Sequence, residues 1–116
     1  MYSLGVNTIS IPEGKVLKMY ANTITEGIVM VRGDSQNMRL SAMFSGYAYG
    51  AVRNTINIID YGSHIHIYID DTAKTTYYIS ASGTGDYIAG VLSLTRNLDF
   101  TILETLPSGI TEITSS

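Results

Sequence analysis

The chain lacks cysteine altogether and has no tryptophan among its 116 residues. Without cysteine it forms no disulfides and has no thiolate metal ligand or thiol nucleophile. A domain of this length removes roughly two-thirds of its unfolded surface from water, so one core suffices without such cross-links. We therefore expect a single domain over residues 1–116.

Charge is also scarce. Only 15% of the residues are charged, against about 25% in a typical soluble domain, whereas 45% are hydrophobic. The 7 basic residues are scattered along a chain of net charge −3, which argues against electrostatic binding of nucleic acid. Low charge with high apolar content is unusual for a lone soluble chain, so the composition predicts a homo-oligomer.

Long apolar runs are missing too. None approaches the ~18 residues that cross a bilayer, so we expect no membrane insertion. The N-terminal Met1–Gly5 segment has neither the basic region nor the long apolar region of a secretory signal. Either the chain is not secreted by that route, or it is a fragment or a mature form.

Short β-branched runs with period-two alternation recur along the chain, separated by Gly, Asn, Asp and Ser. The predicted strands are Thr8–Ile11, Val16–Asn22, Gly27–Arg32, Arg39–Tyr47, Thr55–Asp60, Ile65–Asp70, Thr76–Ala81, Tyr87–Thr95 and Leu98–Leu106. Strands at this spacing predict an all-β, antiparallel β-sandwich that is jelly-roll-like. Gly83–Gly85 is typical of a hairpin turn, and residues 107–116 form either a last edge strand or a flexible tail.

Two predicted strands, Gly27–Arg32 and Thr55–Asp60, are apolar on both faces. A two-sheet sandwich covers only one face of each sheet. The second apolar face therefore predicts another buried surface, and a subunit contact is the simplest source of it.

Catalytic patterns are weak. Asp60, Ser63 and His64 lie around one turn, where side chains diverge, and no nucleophile elbow accompanies them. Paired carboxylates for glycoside hydrolysis must face each other across a cleft. The available acids are more typical of solvated turns and strand edges: Asp70, Asp86, Asp99 and Glu104. We expect the chain not to be an enzyme.

The segment His64-Ile65-His66 is the most specific local motif. Two histidines at i and i+2 of a strand project to one face and can bind one metal in adjacent positions. A single pair is an incomplete site, but three copies around a threefold axis supply enough imidazoles for an octahedral transition metal. The alternative is two half-exposed histidines beside a turn, with no cofactor.

Tyrosine is the residue type best suited to binding, because it offers a broad ring for a sugar face and a hydroxyl for a polar partner. It is also simply a good strand residue that packs in cores and between subunits. The candidate ligand-binding residues are Tyr47, Tyr49, Tyr61, Tyr68, Tyr77, Tyr78 and Tyr87.

Two stretches carry a family resemblance: residues 27–33 leading into Leu40–Tyr47, and His66–Asp70 leading into Thr76–Ser80. In them the cysteine-free chain, rich in Ile, Thr, Ser, Tyr and Gly, resembles the head or tip domains of bacteriophage tail fibres and related virion fibres. The resemblance covers roughly residues 16–106.

The resemblance implies a homotrimeric, jelly-roll-like, non-enzymatic virion module that contacts other virion proteins and a host-surface glycan or protein receptor. Some fibre shafts hold iron with His-x-His pairs around a threefold axis, a pattern that only His64 and His66 match here. The chain has one such pair and no shaft repeat. The alternatives are a carbohydrate-binding module of a secreted enzyme, and a capsid decoration or assembly protein.

Overall fold

The computed structural model describes residues 3–21, 25–47, 53–70, 72, 75–95 and 98–114. These residues contain no helix, and accordingly none that could cross a membrane. The strands are β1 (Ser3–Ile11), β2 (Val16–Ala21), β3 (Thr25–Arg32), β4 (Arg39–Tyr47), β5 (Arg53–Tyr61), β6 (Ile65–Ile69), β7 (Thr76–Ala81), β8 (Tyr87–Thr95), β9 (Leu98–Leu103) and β10 (Thr111–Ile113). The predicted all-β class is confirmed.

The strands form two five-stranded antiparallel sheets, as in a β-sandwich. Sheet A has the order β1-β8-β3-β4-β5, and sheet B has the order β10-β6-β7-β2-β9. The pairing of β1 with β8 and of β2 with β7 is nested, as in a jelly roll. The nesting stops there, because β3 pairs with β4 and β8 rather than with β6. Consecutive strands pair directly in three places, β3–β4, β4–β5 and β6–β7.

Several sequence predictions differ from the structure in their details. β1 begins at Ser3 rather than Thr8, because Gly5 and Asn7 interrupt the apolar alternation on which the prediction rests. The Gly83–Gly85 segment is not a hairpin turn, since β7 lies in sheet B and β8 in sheet A. Of the two predictions for residues 107–116, the edge strand is the one found, because β10 pairs with β6.

The core lies between the sheets and follows from strand alternation. On β3, Val29 and Val31 point inward and are fully buried, and Leu17 and Met19 do the same on β2. The outward residues of β3, from Glu26 to Arg32, are partly or fully exposed, and so are Lys18 and Tyr20 on β2. The sandwich therefore has two outer faces, one on each sheet.

Candidate functional site

Most of the exposed large apolar side chains of the described residues lie on the outer face of sheet A. We call this surface the apolar face, and it consists of Leu4, Val6, Ile28, Met30, Met43, Ile59, Ile88, Leu92 and Leu94. Val6 is 75% exposed and Leu4 is 66% exposed. The prediction that β3 and β5 carry apolar residues on both faces is confirmed, because Met30 and Ile59 point away from the core and are exposed.

The strand register joins these side chains into continuous rows. Leu92 on β8 pairs with Val6 on β1 and with Ile28 on β3, and Met43 on β4 continues the row. A shallow groove of about 320 Å³ runs beside this row, lined in part by Ile28, Met43, Leu92 and Leu94. Surfaces of this kind on soluble proteins mark interaction sites.

The outer face of sheet B has a different chemistry. We call it the tyrosine face, and it consists of Lys18, Tyr20, His66, Tyr68, Tyr78, Ser80 and Glu112. One row crosses the whole sheet, from Glu112 on β10 through Tyr68, Tyr78 and Lys18 to Thr101 on β9. Rings, hydroxyls and charges therefore alternate within side-chain reach.

Polar contacts hold this face together. The Lys18 ammonium lies 5.5 Å from the centre of the Tyr20 ring, within the range of a cation–π interaction. The Ser80 hydroxyl donates to the Tyr68 hydroxyl at 3.4 Å. Tyr78 lies between Tyr68 and Lys18 in the row across the sheet and is only 5% exposed. Burial, followed by the negative charge of Asp70, raises the pKa of Tyr78.

Tyr77 and Tyr87, predicted as ligand-binding residues, lie in the core with 0% and 1% exposure. Tyr77 packs against Phe44 at a centroid distance of 5.3 Å and donates its hydroxyl to the Ser45 carbonyl at 2.7 Å. The Tyr87 hydroxyl on sheet A donates to the Lys15 carbonyl at 2.6 Å, just before β2, and lies 3.4 Å from the Ile79 carbonyl of β7 in sheet B. Each hydroxyl thus joins the two sheets, so neither ring is open to a ligand in this arrangement.

Burial sets the ionisation of both core tyrosines. It raises the pKa of Tyr87 to about 12, and it raises the pKa of Tyr77 further. A phenolate would be costly in either place, because a buried charge loses its hydration.

The other predicted tyrosines occupy different environments. Tyr68 is half-buried on the tyrosine face, and Tyr61 is 46% exposed at the end of β5. Tyr49 lies outside the described residues, as does the side chain of Tyr47. Of the predicted set, Tyr61 and Tyr68 are the described side chains that remain accessible to a ligand.

The two histidines do not share a site within one chain. His64 lines a cavity of about 460 Å³ at the loop end of the sandwich, with Glu13 and Asp34. His66 contacts the Glu112 carboxylate through Nδ1 at 2.9 Å and the Ser82 hydroxyl through Nε2 at 3.1 Å. No cluster of three metal-ligating side chains occurs among the described residues. A metal shared by three copies stays a prediction.

The acidic residues considered for catalysis have local partners. Asp60 pairs with Arg39 at 2.9 Å, and the hydrogen bond from Arg39 is the main cause that lowers the pKa of the Asp60 carboxyl. Glu104 pairs with Lys15. Asp86 accepts from the Glu13 amide at 2.9 Å. Asp60 thus faces an arginine, whereas a Ser–His–Asp triad would require it to face His64.

The last two candidate acids, Asp70 and Asp99, lie at a turn and at a sheet edge. Asp70 accepts from the amide and the hydroxyl of Thr72 at 2.9 and 2.7 Å, which is an Asx-turn arrangement. Asp99 lies exposed on β9, at the edge of sheet B. Both positions match the predicted turn and edge roles.

Sequence reasoning did not single out several residues of the two faces. Leu4 and Val6 lie in the part of β1 that was not predicted as a strand. Leu92 and Leu94 lie on β8, which has apolar residues on both faces, the same pattern that singled out β3. Tyr20 was not among the predicted tyrosines, and it lies on the outward side of β2, opposite the buried Leu17 and Met19.

No protein-family model matches the chain, and no curated protein or solved structure shows a significant similarity to it.

Proposed function

We propose that the chain is a non-enzymatic structural and binding module of a virion, a fibre or receptor-binding tip. Its copies associate through the apolar face, and the tyrosine face contacts a host-surface glycan or protein. The observation that carries the proposal is the apolar face itself, which spans all five strands of sheet A and is half exposed or more at Leu4, Val6, Met30 and Met43.

The size of the apolar face suits a subunit interface. The whole outer face of sheet A, with its polar positions included, has five strands about 4.8 Å apart and four outward rows about 6.8 Å apart, which give a projected area of roughly 400 Å². Because the side chains make this surface uneven, its solvent-accessible area is larger than the projected area and approaches the ~800 Å² per partner of a standard interface. The apolar face does not by itself fix the number of copies, and the fibre-tip resemblance implies three.

The tyrosine face supports a binding role. The Tyr20 and Tyr68 rings are half-buried, so they are held in place and still accessible. Hydroxyls from Ser80 and Thr101 and the Lys18 ammonium surround them, which is the mixture of ring and hydrogen-bonding groups that sugar recognition uses.

Replacement of the two accessible rings tests the binding role. Tyr20→Ala and Tyr68→Ala should each weaken binding to glycan arrays and host cells about tenfold or more. Asn57→Ala, at an exposed position of β5 in sheet A, is the control and should bind as the wild type does. Unchanged binding by both tyrosine-face variants would exclude this face as the receptor site.

Assembly is tested separately with charges. Met30→Asp places a carboxylate in the middle of the apolar face and should shift the chain to monomers in sedimentation velocity. Thr101→Asp adds the same charge to the tyrosine face and should leave the oligomer intact. A wild-type chain that is already monomeric would instead favour the carbohydrate-binding module of a secreted enzyme.

A capsid decoration or assembly protein is the second candidate. The apolar face supports it equally well, because docking onto other virion subunits also buries that face and needs no ligand. A wild-type chain that forms an oligomer but binds no receptor would favour this candidate.

A further inference from the structure

The outward side of β3 carries opposite charges at its two ends. Glu26, Ile28, Met30 and Arg32 follow one another along the outer face of this central strand. Glu26 and Arg32 are both exposed. Among the described residues neither makes a direct ion pair, although the charge of Arg32 contributes to the lowered pKa of the Asp60 carboxyl. An apolar stretch is thus bounded by one acidic and one basic group.

This pattern is complementary to itself. A twofold axis parallel to the sheet and perpendicular to β3 turns a second copy over and reverses its strand direction. When the axis passes between Ile28 and Met30, Ile28 of each copy faces Met30 of the other. Glu26 of each copy then faces Arg32 of the other, so two ion pairs form across the interface.

The same axis sets large side chains against small ones. The register places Leu92 and Gly90 of β8 in the rows of Ile28 and Met30, so Leu92 of one copy faces Gly90 of the other. A Cβ added to Gly90 would meet nothing nearer than the Met30 carbonyl oxygen at 3.9 Å. The outer surface at Gly90 is therefore a recess that can receive Leu92.

The neighbouring strands repeat this arrangement. Met43 of β4 lies in the row of Ile28, and Ser41 lies in the row of Met30, so Met43 of one copy faces Ser41 of the other. Under this axis the two copies of β3 run antiparallel to each other, about 10 Å apart, and the twist of the sheets makes the flanking strands cross at growing angles. The rows therefore match best at the central strand, where the charged pairs lie.

We propose that the apolar face is a twofold, self-complementary interface, in which two copies of this chain stack their A sheets with Glu26 of each paired to Arg32 of the other. The inference rests on the subunit contact proposed above and specifies its symmetry. It differs from the threefold arrangement that the fibre-tip resemblance implies.

The other outer face of the sandwich is a poorer partner. A ring of three copies needs a head-to-tail contact between two different surfaces. The tyrosine face would then place the Lys18 ammonium and the His66–Glu112 pair against leucines, and burying charged groups among apolar side chains is costly. A second apolar face has no such cost.

Charge exchange tests the twofold symmetry. Glu26→Arg and Arg32→Glu should each weaken the dimer about tenfold or more in sedimentation equilibrium, because each variant sets like charges opposite each other twice. The double variant should recover the wild-type dissociation constant to within about threefold. An equimolar mixture of the two single variants should form mainly heterodimers in native mass spectrometry, since both ion pairs are then restored.

Gly90→Leu provides a test independent of charge. The Cβ it adds meets no close contact within the chain and the longer side chain extends into the recess, so the variant should weaken the dimer at least tenfold with an unchanged circular dichroism spectrum. Thr101→Leu, on the tyrosine face, is the matched control.

The outcomes separate the inference from the proposed function. A trimer, or single variants that show no preference for the heterodimer, would overturn the twofold interface and leave self-association standing. A chain that stays monomeric near 100 µM (roughly −5 kcal/mol in binding free energy) would overturn both.

Discussion

Two glycines flank the same residue of β8, and replacing each with alanine is expected to change the stability of the fold in opposite directions. Gly27 of β3 and Gly5 of β1 both pair with Ser93 of β8. A Cβ built on Gly27 would overlap the Leu92 carbonyl oxygen and lie 2.9 Å from the Ser93 Cα. A Cβ built on Gly5 meets nothing nearer than the Ser93 hydroxyl at 3.6 Å, an ordinary contact.

The magnitudes follow from these contacts. Since the two nearest atoms facing Gly27 belong to the backbone of β8, Gly27→Ala must push β8 away from β3 and weaken the hydrogen bonds between them. Overpacking together with weakened hydrogen bonds costs about 2–4 kcal/mol. Gly5→Ala should instead stabilise by about 0.4–1 kcal/mol, because alanine lowers the entropy of the unfolded chain.

Thermal unfolding followed by circular dichroism measures both effects. With an unfolding entropy of about 2.1 cal/mol/K per residue, the melting temperature should fall by about 8–16 °C for Gly27→Ala. It should rise by about 2–4 °C for Gly5→Ala. Two variants that melt within 2 °C of each other would refute the close approach of β3 and β8 at Gly27.

Three further predictions concern the tyrosines. Tyr77→Phe should lower the free energy of unfolding by about 1–2 kcal/mol in urea titrations, since it leaves the Ser45 carbonyl without the hydrogen bond that joins the sheets. Tyr61→Phe, at an exposed ring, should change it by less than about 0.5 kcal/mol; equal effects would contradict the assigned burial. Between about pH 10 and 12 the wild type should lose stability, because tyrosines ionise in the unfolded chain while the folded Tyr87 keeps its proton. For each such tyrosine the free energy of unfolding should fall by up to about 1.4 kcal/mol per pH unit. Tyr87→Phe should make that decline shallower, and an unchanged slope would contradict the raised pKa of Tyr87.

Strand alternation carried most of the fold prediction. The bounds of β4, β7 and β8 agree with the sequence pattern because their turns are marked by Gly, Ser, Asn and Asp. The partners of these strands are set by long-range packing, which a local pattern does not encode. The segment Gly83–Gly85 shows this, since its residues suit a hairpin but the chain there crosses from sheet B to sheet A.

The candidate surfaces were predictable only in part. Apolar residues on both faces of β3 pointed correctly to an exposed apolar surface. The orientation of the tyrosines could not be read from β7, where Thr76, Tyr77, Tyr78 and Ile79 are all buried on one side of the sheet or the other. The period-two pattern assigns neighbours to opposite faces, but it does not say which face is the core when both are apolar.

The molar mass of the wild-type chain in solution tests the central claim, that the apolar face is a subunit interface, most directly. Light scattering between about 1 and 100 µM should give twice the chain mass of 12.6 kDa at the upper concentrations, and Met30→Asp should give the chain mass throughout. A wild-type mass of 12.6 kDa over the whole range would contradict the account.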